Sequence, residues 1–308
     1  MAIKIFADAG SNLFPELLKK KKLDITVVPM KLLIAGKEYV CYTEDFNLPS
    51  VMKTFYEELY NKNDIHTSLI NPHDFYEAFK KETDKGHQII CFTMAKGISG
   101  TYQSACLAAS MINDEVGKET IYVVDSATAG FGEGIQAMKA FELAEQGMSF
   151  EELKKELEIF KFKVRSEFTV DDIRFLAKTG RVNKVVAALA KTLNIKVLLK
   201  GSNESVIVST GKVLGRKLAI KRLIKQCEEY IVDPEKQTVF ITHCDAYKDA
   251  LNMKKELAES NINNVEIYDY DLVTGSHLGP KAMAIFYVGN DREFNTKKLF
   301  RRSNKKEK

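Results

Sequence analysis

The chain reads as an α/β protein: an N-terminal doubly wound, mostly parallel sheet followed by a C-terminal α+β part. Three observations predict this. Residues 87–111, HQIICFTMAKGISGTYQSACLAASM, pass from an apolar run short enough to be a strand buried on both faces into an Ala-rich run without Gly or Pro. Short apolar runs and helical segments alternate from residue 2 to about residue 146, the pattern of strands joined by crossover helices. Beyond residue 163 the strands no longer alternate one by one with helices, and a length of 308 residues favours two domains over one. The expected division is 1–160, 161–295 and a basic tail at 296–308.

In order, residues 2–7 form a strand that ends in the polar turn Asp8-Ala9-Gly10-Ser11-Asn12, and Pro15 opens a short helix. A second strand covers 25–34, turns at Gly36-Lys37 and continues over 38–42. Helices follow at 48–60 and 74–83, separated by an irregular break at 65–72 that holds Thr67 and Ser68. Strand 88–94 leads through Lys-Gly-Ile-Ser-Gly-Thr into the helix from Thr101. Strand 120–124 leads through the turn beginning Asp125-Ser126 into a helix ending near Gln146. Residues 149–163 begin with a Ser cap and form a charged helix expected to bridge the two parts. Beyond it come strand 166–170, helix 171–178, the turn Thr179-Gly180-Arg181, helix 184–193, strands 195–200 and 206–209 and helix 215–232. Strand 238–244, helix 247–260 and strands 265–270 and 283–288 complete the chain.

Composition narrows the function. Hydrophobic residues make up 45% and charged residues 29%, as in a soluble globular protein. No stretch approaches the roughly 20 apolar residues of a membrane span, and Asp8 interrupts any signal-peptide core, so a cytoplasmic location is expected. Five cysteines, odd in number and without a Cys-x-x-Cys pair, point to reduced thiols rather than disulfides or a zinc ribbon. The net charge of +4 is concentrated in the tail, whose seven Lys or Arg against one Glu contribute +6 and leave about −2 on the body. A nucleic-acid partner is therefore not expected. The tail reads as a solvated terminus; transient contact with an anionic membrane surface is the secondary expectation.

The loop at 96–101 is an anion site in outline. Two glycines allow close backbone approach, and hydroxyls sit beside free helix N–H groups. Its plainer reading is that Ser99 or Thr101 caps the helix. The loop lacks the Gly-Lys-Ser/Thr of a phosphate loop, residues 130–135 place Ile135 where a dinucleotide loop needs its third glycine, and Ser99 is out of register for Gly-x-Ser-x-Gly. Gly10 stands where an aspartyl phosphatase needs its second acid. No histidine spacing makes a metal site. Arg181, in its turn, can hold a carboxylate or phosphate with two parallel hydrogen bonds. His277 lies in the Gly-flanked turn 274–280, either over a cleft or as an ordinary turn histidine. Hydroxyls, one Arg and one His without an evident nucleophile describe a binder better than a catalyst. A free-standing hydrolase or phosphotransferase acting on a small acidic substrate is the alternative, and a structural protein without ligand the third reading.

Several segments together resemble the DegV family, bacterial fatty-acid-binding proteins that carry the acyl chain for a two-component fatty acid kinase. They are Asp8 with Ser11-Asn12-Leu13, Thr67-Ser68 with Pro72, Ile98-Ser99-Gly100-Thr101-Tyr102-Gln103-Ser104-Ala105, Val124-Asp125-Ser126, Asp171-Asp172-Ile173-Arg174-Phe175-Leu176 through Gly180-Arg181-Val182, and Gly275-Ser276-His277-Leu278-Gly279-Pro280. The chain departs from the family at Ala9-Gly10, Leu69-Ile70 and Lys281. The resemblance implies a long-chain fatty acid in an apolar tunnel between two domains, with Thr67, Ser99, Arg181 and His277 around its carboxylate. Ser68, Gly100, Ser126 and Arg174 are secondary candidates, Arg174 being the rival cation to Arg181. It also implies a separate fatty acid kinase catalytic subunit as partner, no catalysis by this chain alone, and neither metal nor cofactor besides the bound fatty acid.

Overall fold

The computed structural model describes residues 2–42, 49–61, 65–183, 186, 188 and 194–292. Most of the helix expected at 184–193, and the basic tail, lie outside the described residues. The first sheet has four parallel strands in the order β2-β1-β6-β7, formed by Ile25–Val28, Ile3–Asp8, Gln88–Thr93 and Ile121–Asp125. Alternation along these strands serves two buried faces. Ile5, Ala7, Ile90 and Phe92 pack on one side with Phe131, Ile135 and Ala140 of α5 (Phe131–Glu145). Phe6, Ile89 and Cys91 pack on the other with Phe75 and Phe79 of α3 (Pro72–Thr83) and Ala105, Ala108 and Ile112 of α4 (Thr101–Val116). This is the doubly wound parallel layer expected from the alternating pattern.

The run at 25–34, expected as one strand, is two. Pro29 has no N–H to donate to a ladder, so β2 ends at Val28 and β3 (Lys31–Ile34) joins a separate antiparallel sheet. That sheet has the order β4-β3-β5, with β4 at Lys37–Val40 and β5 at His66–Thr67. The break at 65–72 thus contains a two-residue strand, and pairing of Leu32 with Thr67 fixes the position of the Thr67 side chain. Short α1 (Pro15–Lys21) follows β1, and α2 (Pro49–Tyr60) follows β4.

The second half is built on a mixed six-stranded sheet, β10-β9-β8-β13-β11-β12. Its strands are β8 (Val164–Thr169), β9 (Ile195–Gly201), β10 (Ile207–Leu214), β11 (Val239–His243), β12 (Val265–Asp269) and β13 (Met283–Val288). β10 runs five residues past the expected 209 because a register shift between Ser209 and Gly211 lets the ladder continue. The helices are α6 (Phe150–Phe160), α7 (Arg174–Lys178), α8 (Arg216–Tyr230), α9 (Tyr247–Glu259) and α10 (Leu272–Leu278). Ser149 caps α6 in a reciprocal arrangement with Glu152, as its sequence suggested. α6 buries Phe150, Leu153, Leu157 and Phe160.

One apolar cluster draws on both halves. Phe131 of α5 stacks on Phe240 of β11 with ring centroids 4.3 Å apart, and Phe168, Leu199 and Phe286 join it. Polar ties cross as well: Asn12 Nδ2 donates to Asp269 O, Tyr56 OH to Asp269 Oδ1, Ser205 Oγ to Asp125 Oδ2, and the buried Arg292 Nη1 to Ala127 O. Among the described residues no helix is long and apolar enough to cross a membrane.

Candidate functional site

A cavity of about 260 Å³ lies where the halves meet, beyond the carboxyl ends of β6 and β7. In doubly wound sheets this edge is where ligands bind. Its walls are mainly apolar: Met30, Met94 and Ala129 from the first half, Phe168, Val273 and Phe286 from the second. Thr67, Ser68, Ser99, Arg181 and His277 also line it.

Four of these gather. Thr67 Oγ1 lies 3.0 Å from His277 Nε2. Burial, and secondarily the Arg181 cation, push the His277 pKa down to about 4, so the imidazole is neutral at pH 7. Its Nδ1 is buried without a partner among the described residues. Arg181 Nε donates to Ile98 O at 3.2 Å and Nη1 to Thr179 O at 2.5 Å, which fastens the guanidinium beside Ser99. Desolvation lowers its pKa, yet arginine starts so high that it stays a cation. No described carboxylate pairs with it. Ser99 Oγ accepts from Thr101 N–H at 3.2 Å and lies 2.9 Å from Thr101 Oγ1. Ser99 Oγ thus serves the first N–H of α4 from just outside the helix, while Thr101 is buried in the first turn.

His277 is not in a turn. Asp271 Oδ1 accepts the Thr274 N–H and starts α10, and Gly279 ends it at φ +81°. Gly275 stands inside the helix because a Cβ there would come within 3.3 Å of Cys244 Sγ and 3.5 Å of Phe55. A Cβ on Gly279 would strike the Phe175 ring at 2.5 Å.

The secondary candidates separate. Ser68 lines the cavity, although its N–H and Oγ both donate to Lys31 O. Gly100, the N-cap of α4, is outside the lining and meets Leu69. Ser126 turns away: its Oγ donates to Thr128 O and accepts Thr128 N–H within its own turn, leaving Ala127, Thr128 and Ala129 to face the cavity. Arg174 is exposed and bound to Asp172 by both Nε and Nη2, away from the lining. Sequence reasoning missed Met94, Phe168, Tyr270 and Phe286, since apolar side chains aimed at a cavity have the same pattern as those in a core. Among the described residues no group of three or more His, Cys, Asp or Glu could hold a metal ion.

A family model described as "Uncharacterised protein, DegV family" matches residues 2–290. The chain belongs to the DegV family. A DegV domain-containing protein of Clostridium perfringens is 30% identical over 290 residues, 94% of this chain and 98% of the relative. One from Clostridium acetobutylicum is 31% identical over 288 residues, 93% of this chain and 98% of the relative. Among solved structures, the fatty-acid-binding DegV family protein of Thermus thermophilus superposes with a TM-score of 0.81 at 24% identity, covering 94% of this chain and 100% of its own. The Fatty Acid Kinase (Fak) B3 protein of Streptococcus pneumoniae, solved with linoleic acid, superposes with a TM-score of 0.78 at 20% identity over the same shares. At these identities the likeness establishes the shared DegV fold.

Proposed function

We propose that this protein binds a long-chain fatty acid between its two halves and presents the carboxylate to a separate ATP-dependent kinase subunit for acyl phosphate formation. The observation that carries the reading is the mainly apolar cavity with Thr67, His277, Arg181 and Ser99 joined in one group. Each methylene buried gains roughly 0.8 kcal/mol, so a chain of about 15 supplies on the order of 12 kcal/mol before ordering costs. The carboxylate needs hydrogen bonds and a compensating charge, because a buried unpaired carboxylate is far more costly than the tail is favourable. Arg181 supplies the charge. Ser99, accepting from Thr101, keeps its own O–H to donate, and Thr67 or the neutral imidazole adds another donor. The domain division near residue 160 makes the two walls of this site, and the fatty acid is the sole ligand, without metal or cofactor.

The hydrolase alternative finds less support. Ser99 bonds to Thr101 rather than to a histidine, and among the described residues no acid orients His277 Nδ1. The reading therefore assigns no catalysis to this chain alone and puts it in the cytoplasm with its kinase. Protein purified from a bacterial host is expected to carry fatty acid, seen as a lipid adduct in native mass spectrometry; a consistently lipid-free protein would overturn the proposal. Arg174→Ala serves as the paired control. With its guanidinium on Asp172 at the surface, it is expected to leave fatty-acid affinity within about twofold, and a loss beyond tenfold would transfer the head-group role to it.

A further inference from the structure

Strand β8 presents its side chains to two different environments. Arg165 and Glu167 pair with each other on one face, where the guanidinium lies over the Tyr230 ring at the end of α8, 4.2 Å from its centroid. Ser166 and Phe168 alternate with them and line the cavity. Across the sheet Ser166 is in register with Phe286 of β13. On its other side stands Gly201 of β9, where a Cβ would come within 3.1 Å of Ser166 Oγ. Phe286 and Gly201 line the cavity too, so a single hydroxyl sits in a stretch of wall otherwise made of Phe168, Phe286 and a bare glycine.

That hydroxyl is only half used. Ser166 is 5% exposed, and its Oγ accepts the Gly201 N–H at 3.4 Å, the long limit of a hydrogen bond. Its own O–H has no acceptor among the described residues. The neighbouring carbonyl, Ala127 O, already accepts Arg292 Nη1 at 2.8 Å. Of the other wall hydroxyls outside the head-group cluster, Thr128 donates to Ala129 O, and Thr274 stands one helical turn before His277, at the head-group end. Ser166 makes no hydrogen bond to Thr67, Ser99, Arg181 or His277. A buried O–H without an acceptor is a cost that alanine or valine at this position would avoid, unless a ligand supplies the acceptor.

We propose that the cavity takes a hydroxylated long-chain fatty acid, whose hydroxyl, on a carbon along the tail, accepts the Ser166 O–H. This rests on the fatty-acid reading above and narrows it. A tail hydroxyl buried against Phe168 and Phe286 alone loses its bonds to water; beside Ser166 it regains one. Because one point of this wall offers the bond, one region of the chain matches it.

The test displaces a fluorescent fatty acid from the whole protein with stearic acid and with a series of monohydroxystearic acids that differ in hydroxyl position. In the wild type, one position or two adjacent ones are expected to bind at least as tightly as stearic acid, and the rest about tenfold more weakly. Ser166→Ala is expected to weaken the favoured isomer about tenfold and to leave stearic acid within about twofold. Three results would overturn the proposal: every hydroxy isomer binding the wild type more than about tenfold more weakly than stearic acid, a preference unchanged in Ser166→Ala, or an equal loss of stearic acid and the favoured isomer, which would make Ser166 a head-group ligand. If the variant fails to fold, the positional series on the wild type still decides. Binding of stearic acid without a favoured isomer ends only the hydroxyl assignment, whereas a protein that binds neither kind of acid ends the fatty-acid reading together with it.

Discussion

Arg181→Met is expected to weaken fatty-acid binding by roughly 10–100-fold, the loss of about 1.5–3 kcal/mol associated with a hydrogen bond to a charged group. Methionine preserves much of the apolar stem but removes the half-buried cation and its bonds to Ile98 O and Thr179 O. The acyl tail still contributes its burial, so binding persists at a lower affinity rather than vanishing. Arg181→Lys, which restores the charge as a compact ammonium without the planar fork, is expected to fall between the two. Titration calorimetry with a fatty acid measures the series, and unfolding curves separate loss of affinity from loss of fold. An affinity unchanged in Arg181→Met would remove Arg181 from the head-group site.

Phe131→Ala is expected to cost about 3–5 kcal/mol of stability, the range for a fully buried aromatic truncated in a core. That is a large part of the roughly 5–15 kcal/mol typical of a folded domain. The ring sits at the first position of α5, stacked on Phe240 of β11, 5.2 Å from Tyr268 and 6.3 Å from Phe286. It therefore joins the parallel sheet of the first half to three strands of the second. A fall in the denaturant midpoint with little change in slope is the expected signature. A cost below about 1 kcal/mol would mean that the halves are held together elsewhere.

Much of the fold was legible because periodicity and chain punctuation are local. The apolar run before Lys96 and the Ala-rich run after Gly100 define β6 and α4, and Ser149 with Glu152 starts α6. Local signals misled where one residue had two meanings. Pro29 lies within a continuous apolar run that reads as one strand, yet its missing N–H sends the two sides to different sheets. Gly275 and Gly279 read together as a turn, although only Gly279 is a helix terminator and Gly275 answers a close approach to Cys244 and Phe55. The candidate site followed the same division. Thr67, Ser99, Arg181 and His277 stood out by residue type and by resemblance, whereas discarding Ser126 and Arg174 from the cavity wall required knowing where their hydrogen bonds go.

By itself the sequence determined the alternation of strands and helices, the class of fold, and the absence of recognisable nucleotide-loop, metal and hydrolase patterns, because each depends on residue type and spacing within a single segment. Only the tertiary structure decided that Thr67 meets His277 across 210 positions of chain, and that Phe131 stacks on Phe240. Those encounters are set by how the two sheets pack, and packing is a property of side chains distant in sequence that no single segment encodes.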